Sequence, residues 1–187
     1  MRDERRPWVA INGIVSIEKL WFSQDLNGIL IFDIAVTVTG QMPAQHVFAS
    51  AVLIPDDKHE DLLMVQKRLC DSFMEDFKII SPDDSKHVNI TIFPGQTRTI
   101  NVGAIDPDGN LRNYRDKGFR KVSPFVVGCV SYQDPMKRPH RTGFVYRLFA
   151  IDDIVASGVK GIDLVDSIVS GDKLKIWRDI FGDGPAD

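Results

Sequence analysis

The chain has 187 residues, of which 43% are hydrophobic and 26% are charged, and its formal net charge is -3. This composition excludes a disordered chain, and no run approaches the roughly 18 apolar residues of a membrane span. The near balance of 23 basic and 26 acidic residues argues against nucleic acid as a partner, because the basic residues do not form the concentrated patch that such binding needs.

The N-terminal sequence passes from charged residues directly into a strand-like pattern, without the apolar core and cleavage site of a signal peptide. The expected location is therefore cytoplasmic by default. We expect a single domain over residues 1–187, with flexible ends at 1–6 and 179–187.

Alternation of apolar and polar residues predicts strands through the first third of the chain. Residues 7–22 predict a strand or two, with Gly13 as a candidate bulge. Residues 28–40 alternate most clearly, with large apolar side chains on one face and Asp33 on the other. Residues 45–55 are apolar on both faces, which is typical of a central strand.

One segment after these strands has helical spacing instead. Residues 57–76 begin with acidic side chains, which favour a helix start, and then place Leu62, Val65, Leu69 and Phe73 on one face. We expect a crossover helix of about four turns. Its apolar stripe is interpreted first as a core-facing surface and second as a groove for a partner.

The rest of the chain returns to strand patterns. The predicted elements are a hairpin of 87–93 with 98–104 around Pro94-Gly95, a weak helix or turn in 106–118, a strand pair at 123–133 and 141–151, a helical turn within 158–172, and a short final strand at 173–177. Together these elements predict a mainly β fold, specifically an antiparallel immunoglobulin-like β-sandwich with one crossover helix.

The two cysteines have three interpretations. Cys70 lies near the end of the predicted helix and Cys129 lies in a predicted strand, and neither belongs to a CxxC or Cys/His cluster. The first interpretation is two buried free thiols. The second is a disulfide in an oxidising compartment, which closes a long loop. The third is a nucleophilic Cys129 with His140 as its base.

The sequence contains no motif that specifies catalysis. It lacks G-x-S-x-G, the P-loop and G-x-G-x-x-G, and its histidines are scattered without metal-ligand spacing. Residues 106–110 resemble a calcium loop, but Lys117 occupies the twelfth position, where glutamate is required, so a turn is predicted. We therefore expect no catalytic residues, no metal site and no cofactor.

The leading hypothesis is a non-enzymatic binding or protein-interaction domain whose partner is an unknown protein. Basic and aromatic side chains on loops of a rigid β framework are typical of recognition surfaces. The candidate surface comprises Lys137, Arg138, His140, Arg141 and Tyr146. The alternative is a small-molecule sensor with a pocket between the helix and one sheet.

Segments from about residue 6 onward resemble a family of uncharacterised proteobacterial proteins. The segments are RPWVAI, PAQHV, QKRLC, IFPGQT, FVVGCVSY and HRTGFVYRL. In that family the domain usually follows an N-terminal transmembrane helix, so the resemblance implies a membrane-tethered, periplasm-exposed alternative to the cytoplasm. It implies no activity.

Two details of the resemblance concern individual positions. Cys70 and Cys129 both match family positions, which implies that they face one another. The chain departs from the family where TVTGQMPA replaces the more usual Asn-containing turn, and where it begins just before RPWV without the membrane helix.

Overall fold

The structure, a computed structural model, describes residues 6–23, 27–56, 62–79, 90–106, 109–151, 161–164 and 168–178. The strands are β1 (Val9–Phe22), β2 (Gly28–Val38), β3 (Gln45–Ile54), β4 (Thr97–Ile105), β5 (Lys121–Val122), β6 (Phe125–Gln133), β7 (Pro139–Ala150), β8 (Ile162–Asp163), β9 (Ile168–Ser170) and β10 (Leu174–Arg178). The helices are α1 (Leu62–Ile79) and α2 (Asn110–Asp116), and Gly171–Lys173 forms a 3-10 turn. Neither helix of this described part is long and apolar enough to cross a membrane.

Eight strands form one continuous sheet in the order β10-β7-β6-β3-β4-β2-β1-β9, and this sheet curls until it nearly closes into a barrel. The pairs are antiparallel except β3 with β4, which run parallel. Helix α1 lies between these two strands in the chain and supplies the crossover that a parallel pair needs. The mainly β prediction is confirmed. The immunoglobulin-like sandwich is not confirmed, because the eight strands share one sheet rather than forming two.

The interior of the barrel is filled by the alternating apolar residues of the strands. In β2 every second residue is buried, and Leu30, Phe32 and Ile34 have no exposed surface. Helix α2 closes one end, where the Leu111 side chain lies only 2.5 Å from where a Cβ on Gly28 would stand. Such close filling means that the barrel centre is a packed core.

Most predicted elements are confirmed. Strand β1 carries a register shift at Gly13, as the bulge prediction requires. Helix α2 lies within the predicted segment 106–118, and β10 matches the predicted final strand. Helix α1 begins at Leu62 and ends at Ile79. Residues 57–61 and 179–187, and the side chain of Phe73, lie outside the described part of the chain.

The hairpin predicted around Pro94-Gly95 is wrong in its pairing. The turn forms, but Ile92 bridges Ala44, just before β3, instead of pairing with residues 98–104. Strand β4 already has β2 on one side and β3 on the other. Strand β3 reaches β4 only at Ala104 and Ile105, and the segment before the turn hydrogen-bonds to Ala44 and Val47 at the start of β3. Residues 87–89 lie outside the described ranges.

Candidate functional site

The predicted recognition surface begins at the turn between β6 and β7, which is organised by a buried carboxylate. Asp134 is completely buried and accepts hydrogen bonds from the backbone N–H groups of Met136 (2.8 Å) and Arg138 (2.9 Å). It also pairs with Arg138 Nε at 2.6 Å. Burial acts to raise the pKa of Asp134, but these hydrogen bonds outweigh burial and lower it. Asp134 is therefore a charged anchor for the turn.

His140 links this turn to the N-terminal segment. It is buried, its Nε2 lies 3.5 Å from Asp134 Oδ2, and its Nδ1 lies 3.1 Å from an Arg6 guanidinium nitrogen. Because arginine can only donate, Nδ1 accepts and Nε2 carries the proton. Burial lowers the pKa of His140 and so favours the neutral ring. The nearby Tyr132 hydroxyl donates to the Pro7 carbonyl at 3.2 Å, so the same region holds the start of β1.

The remaining predicted residues lie apart from one another. Arg141 pairs with Asp71 of α1, and hydrogen bonds from Lys67 and Arg141 hold the pKa of Asp71 below its ordinary value. Lys137 occupies the turn itself with φ 62°. Tyr146 is buried inside the barrel beside Phe144. The structure therefore brings Lys137, Arg138 and His140 together at the turn but does not gather all the predicted residues on one exposed surface.

Cys70 and Cys129 are joined by a disulfide that connects α1 to β6. Both residues are completely buried, and the described residues include no free cysteine. Two free thiols, the first interpretation of the sequence, are therefore not what the structure contains. The nucleophile interpretation also fails in this state, because a disulfide sulfur has no thiolate to attack with.

The outer face of the sheet carries a continuous row of apolar side chains across seven strands, which we call the apolar belt. Strand register places its members side by side, in the order Ile168, Trp21, Ile29, Ile105, Val52, Val127 and Val145. The next outward positions are Ile31 on β2 and Gly103 on β4. Polar side chains follow at Asp33, which accepts hydrogen bonds from Ser16 (2.7 Å) and Asn101 (2.9 Å). Those hydrogen bonds lower the pKa of Asp33.

Helix α1 covers one half of the apolar belt and leaves the other half open. Leu62 and Val65 pack onto the cluster that contains Val127 and Val145. We call the uncovered half, formed by Ile168, Trp21, Ile29 and Ile105, the open row. Ile168 is 61% exposed, Ile105 50% and Trp21 44%.

The open row cannot be recognised from the sequence, because its members come from four different strands. Each is a single outward apolar residue, which by itself is ordinary. A usable signal was Ile105 at the end of β4, where the other outward positions are Gly103, Asn101 and Thr99, together with Ile29 at the start of β2. Only the strand register shows that these positions are adjacent.

A pocket of about 440 Å³ lies between β1 and β10, and its lining includes Tyr146. This is not the location expected for a sensor pocket, because α1 contributes no residue to the lining. Beneath α1, the buried Gln66 side chain fills the space above Gly143. Within the described ranges, no three His, Cys, Asp or Glu side chains are placed to hold a metal ion.

No protein-family model matches the chain, and no curated protein matches it in sequence. The geometry of the open row, the pocket and the disulfide therefore carries the functional argument. The relationship to the proteobacterial family stays a prediction that rests on the quoted segments.

Proposed function

We propose that this chain is a non-enzymatic protein-interaction domain whose open row binds an amphipathic helix of a partner protein. The observation that carries the proposal is the exposure of Ile168, Trp21 and Ile105 at the end of a belt whose other half is already covered by a helix. Contiguous exposed apolar side chains rimmed by polar ones mark interaction sites.

The covered half of the apolar belt supports a helix as the occupant. Leu62 and Val65 of α1 lie one turn apart and meet the outer face of β6 and β7. The open row continues the same line of side chains onto β4, β2, β1 and β9, so a second helix with apolar residues at positions i, i+3 and i+7 can lie beside the first.

The size of the open row argues against a second copy of the chain as the occupant. Its three most exposed side chains present roughly 300 Å² of apolar surface. A stable dimer buries about 800 Å² on each partner. A single amphipathic helix needs a smaller contact, and apolar anchors at the centre of an interface supply most of its affinity.

The charge around the open row argues against a lipid surface. Lys19 lies in the adjacent outward position of β1, but its ammonium is 3.4 Å from the Glu18 carboxylate. Attachment to anionic lipid requires an excess of basic residues, and the chain has a net charge of -3.

The disulfide supports a location in an oxidising compartment, because such bonds persist there and are rare in the reducing cytoplasm. We therefore propose the periplasm, through a membrane tether, in place of the default cytoplasmic location. The immunoglobulin-like relationship that the strand pattern predicts is part of the same proposal.

The proposal is tested by placing a photo-cross-linking amino acid at position 105 or 168 of the chain in its own cells. Matched control positions are Phe93 and Met136, which are 54% and 67% exposed and lie outside the open row. We expect cross-links from 105 and 168 to one partner segment with apolar residues at helical spacing. Equal products from all four positions, or products limited to lipid or to a second copy, would show that the assignment is wrong.

A further inference from the structure

The nearly closed barrel has a seam between β1 and β10 where backbone edges lack strand partners. Among the described residues, β1 pairs with β2 on one side, whereas on the other side only Lys19–Trp21 pair, with β9. Strand β10 pairs with β7 on one side only. The edge of β1 from Asn12 to Ile17 therefore faces β10 across the 440 Å³ pocket.

Bulges in β1 explain why the seam stays open. The register of β1 against β2 shifts between Ile11 and Gly13, between Ile14 and Ser16, and between Ile17 and Lys19. Each bulge adds twist and turns the strand away from regular pairing. The result is an edge about 20 Å long at roughly 3.3 Å per residue.

Both ends of the seam are closed by direct contacts. At one end the Thr142 hydroxyl donates to the Val9 carbonyl at 3.0 Å. At the other end Gly171 lies so close to the Ile17 carbonyl that a Cβ would stand 1.7 Å from the oxygen. The opening is therefore a bounded slot that suits a short ligand rather than a long strand.

The slot presents backbone groups and apolar side chains. The Asn12 amide donates to Thr37 at 2.7 Å and the Ser16 hydroxyl donates to Asp33, so both side chains are engaged with β2. Ile14, Ile17 and Ile176 supply partly buried apolar surface. A ligand must therefore satisfy backbone N–H and C=O groups and also fill apolar positions, which is the chemistry of a peptide in extended conformation.

We propose that this slot, defined by Asn12–Ile17 and Leu174–Ile176, binds a short extended peptide segment that adds to the open edges of β1 and β10. Its volume lies within the roughly 300–1,000 Å³ typical of ligand sites. The site is separate from the open row and does not depend on the function proposed above.

The test is an amide NMR titration of the whole chain with the probe acetyl-Val-Thr-Val-Thr-amide and with an analogue that is N-methylated at its second valine and so lacks one backbone donor. We expect the first peptide to shift the amides of residues 12–17 and 174–176, and the analogue to bind about tenfold more weakly, as loss of one hydrogen bond predicts. No shift in the slot, or equal binding of both peptides, would overturn the proposal.

A pair of variants at the exposed Val15 tests the protein side. Val15→Pro removes a backbone N–H within the stretch of β1 that lines the slot, whereas Val15→Ala keeps it. Val15 is an extra residue in β1 with no partner on β2. We expect Val15→Ala to bind the probe like the native chain and Val15→Pro to bind about tenfold more weakly. Equal binding by two folded variants would contradict the proposal. If Val15→Pro does not fold, the comparison of the two peptides on the native chain decides between binding and no binding at the slot edge. Trp21→Ser must leave the titration unchanged, which separates this site from the open row.

Discussion

Gly128 lies where the barrel interior is tightly packed. A Cβ at this position would lie 2.0 Å from the Phe144 ring, whereas a Cβ on Gly103 would meet nothing within 4 Å. We predict that Gly128→Ala destabilises the fold by about 1–3 kcal/mol, because the aromatic ring has no room to move. Gly103→Ala, the matched control, changes stability by about 0.5 kcal/mol or less. Urea unfolding measures both, and equal effects would contradict this packing.

The burial of His140 makes stability depend on pH. The pKa of folded His140 is lowered by burial, so below about pH 6.5 the unfolded chain takes up the proton more readily and the fold loses stability. We predict that stability is full above about pH 6.5 and declines as the pH falls towards 5. His140→Gln should remove the part of this stability loss that is due to His140. A stability profile against pH identical to that of the native chain would exclude the mechanism.

Helix α1 is the element that is most easily detached from the sheet. It is held there by a small apolar cluster, the Arg141–Asp71 pair and the disulfide. The bond joins positions 59 residues apart. Its removal in the double variant Cys70→Ala, Cys129→Ala should cost about 4 kcal/mol in the chain-entropy model. Hydrogen exchange should become faster in residues 62–79 than in β2 and β4. Unchanged protection of α1 would show that the disulfide does not hold the helix in place.

The elements that the sequence predicts well are those whose pattern is local. The alternation in β2 identifies its buried face residue by residue, and Pro94-Gly95 identifies a turn. Pairing depends on distant residues, so nothing local shows that Ile92 bridges Ala44 or that β3 runs parallel to β4. On α1 the buried side chains include Gln66, whereas Leu62, Val65 and Leu69 of the predicted apolar stripe are only partly buried. The missing side chain of Gly143 leaves room for the Gln66 amide.

At the scale of the whole molecule, closure of the sheet decides which surfaces are available for binding. The charged turn at residues 134–138 was a reasonable candidate from the sequence, yet Asp134 and Asp71 neutralise Arg138 and Arg141 within the chain. Tyr146 faces inward because it alternates with outward Arg147, and sequence alone cannot assign the two faces when both are partly apolar. The open row and the slot exist only once distant strands are aligned, so neither could be predicted from local pattern.

The measurement that tests the central claim most directly is the affinity of the cross-linked partner segment, made as a synthetic peptide, for the native chain and for three variants. Trp21→Ser and Ile105→Ser alter the open row, and Phe93→Ser alters an equally exposed side chain outside it. Loss of a central apolar anchor costs about 2 kcal/mol, so we predict roughly 30-fold weaker binding by each row variant. Phe93→Ser should bind like the native chain. Equal affinities for all four proteins would contradict the assignment of the open row as the docking surface.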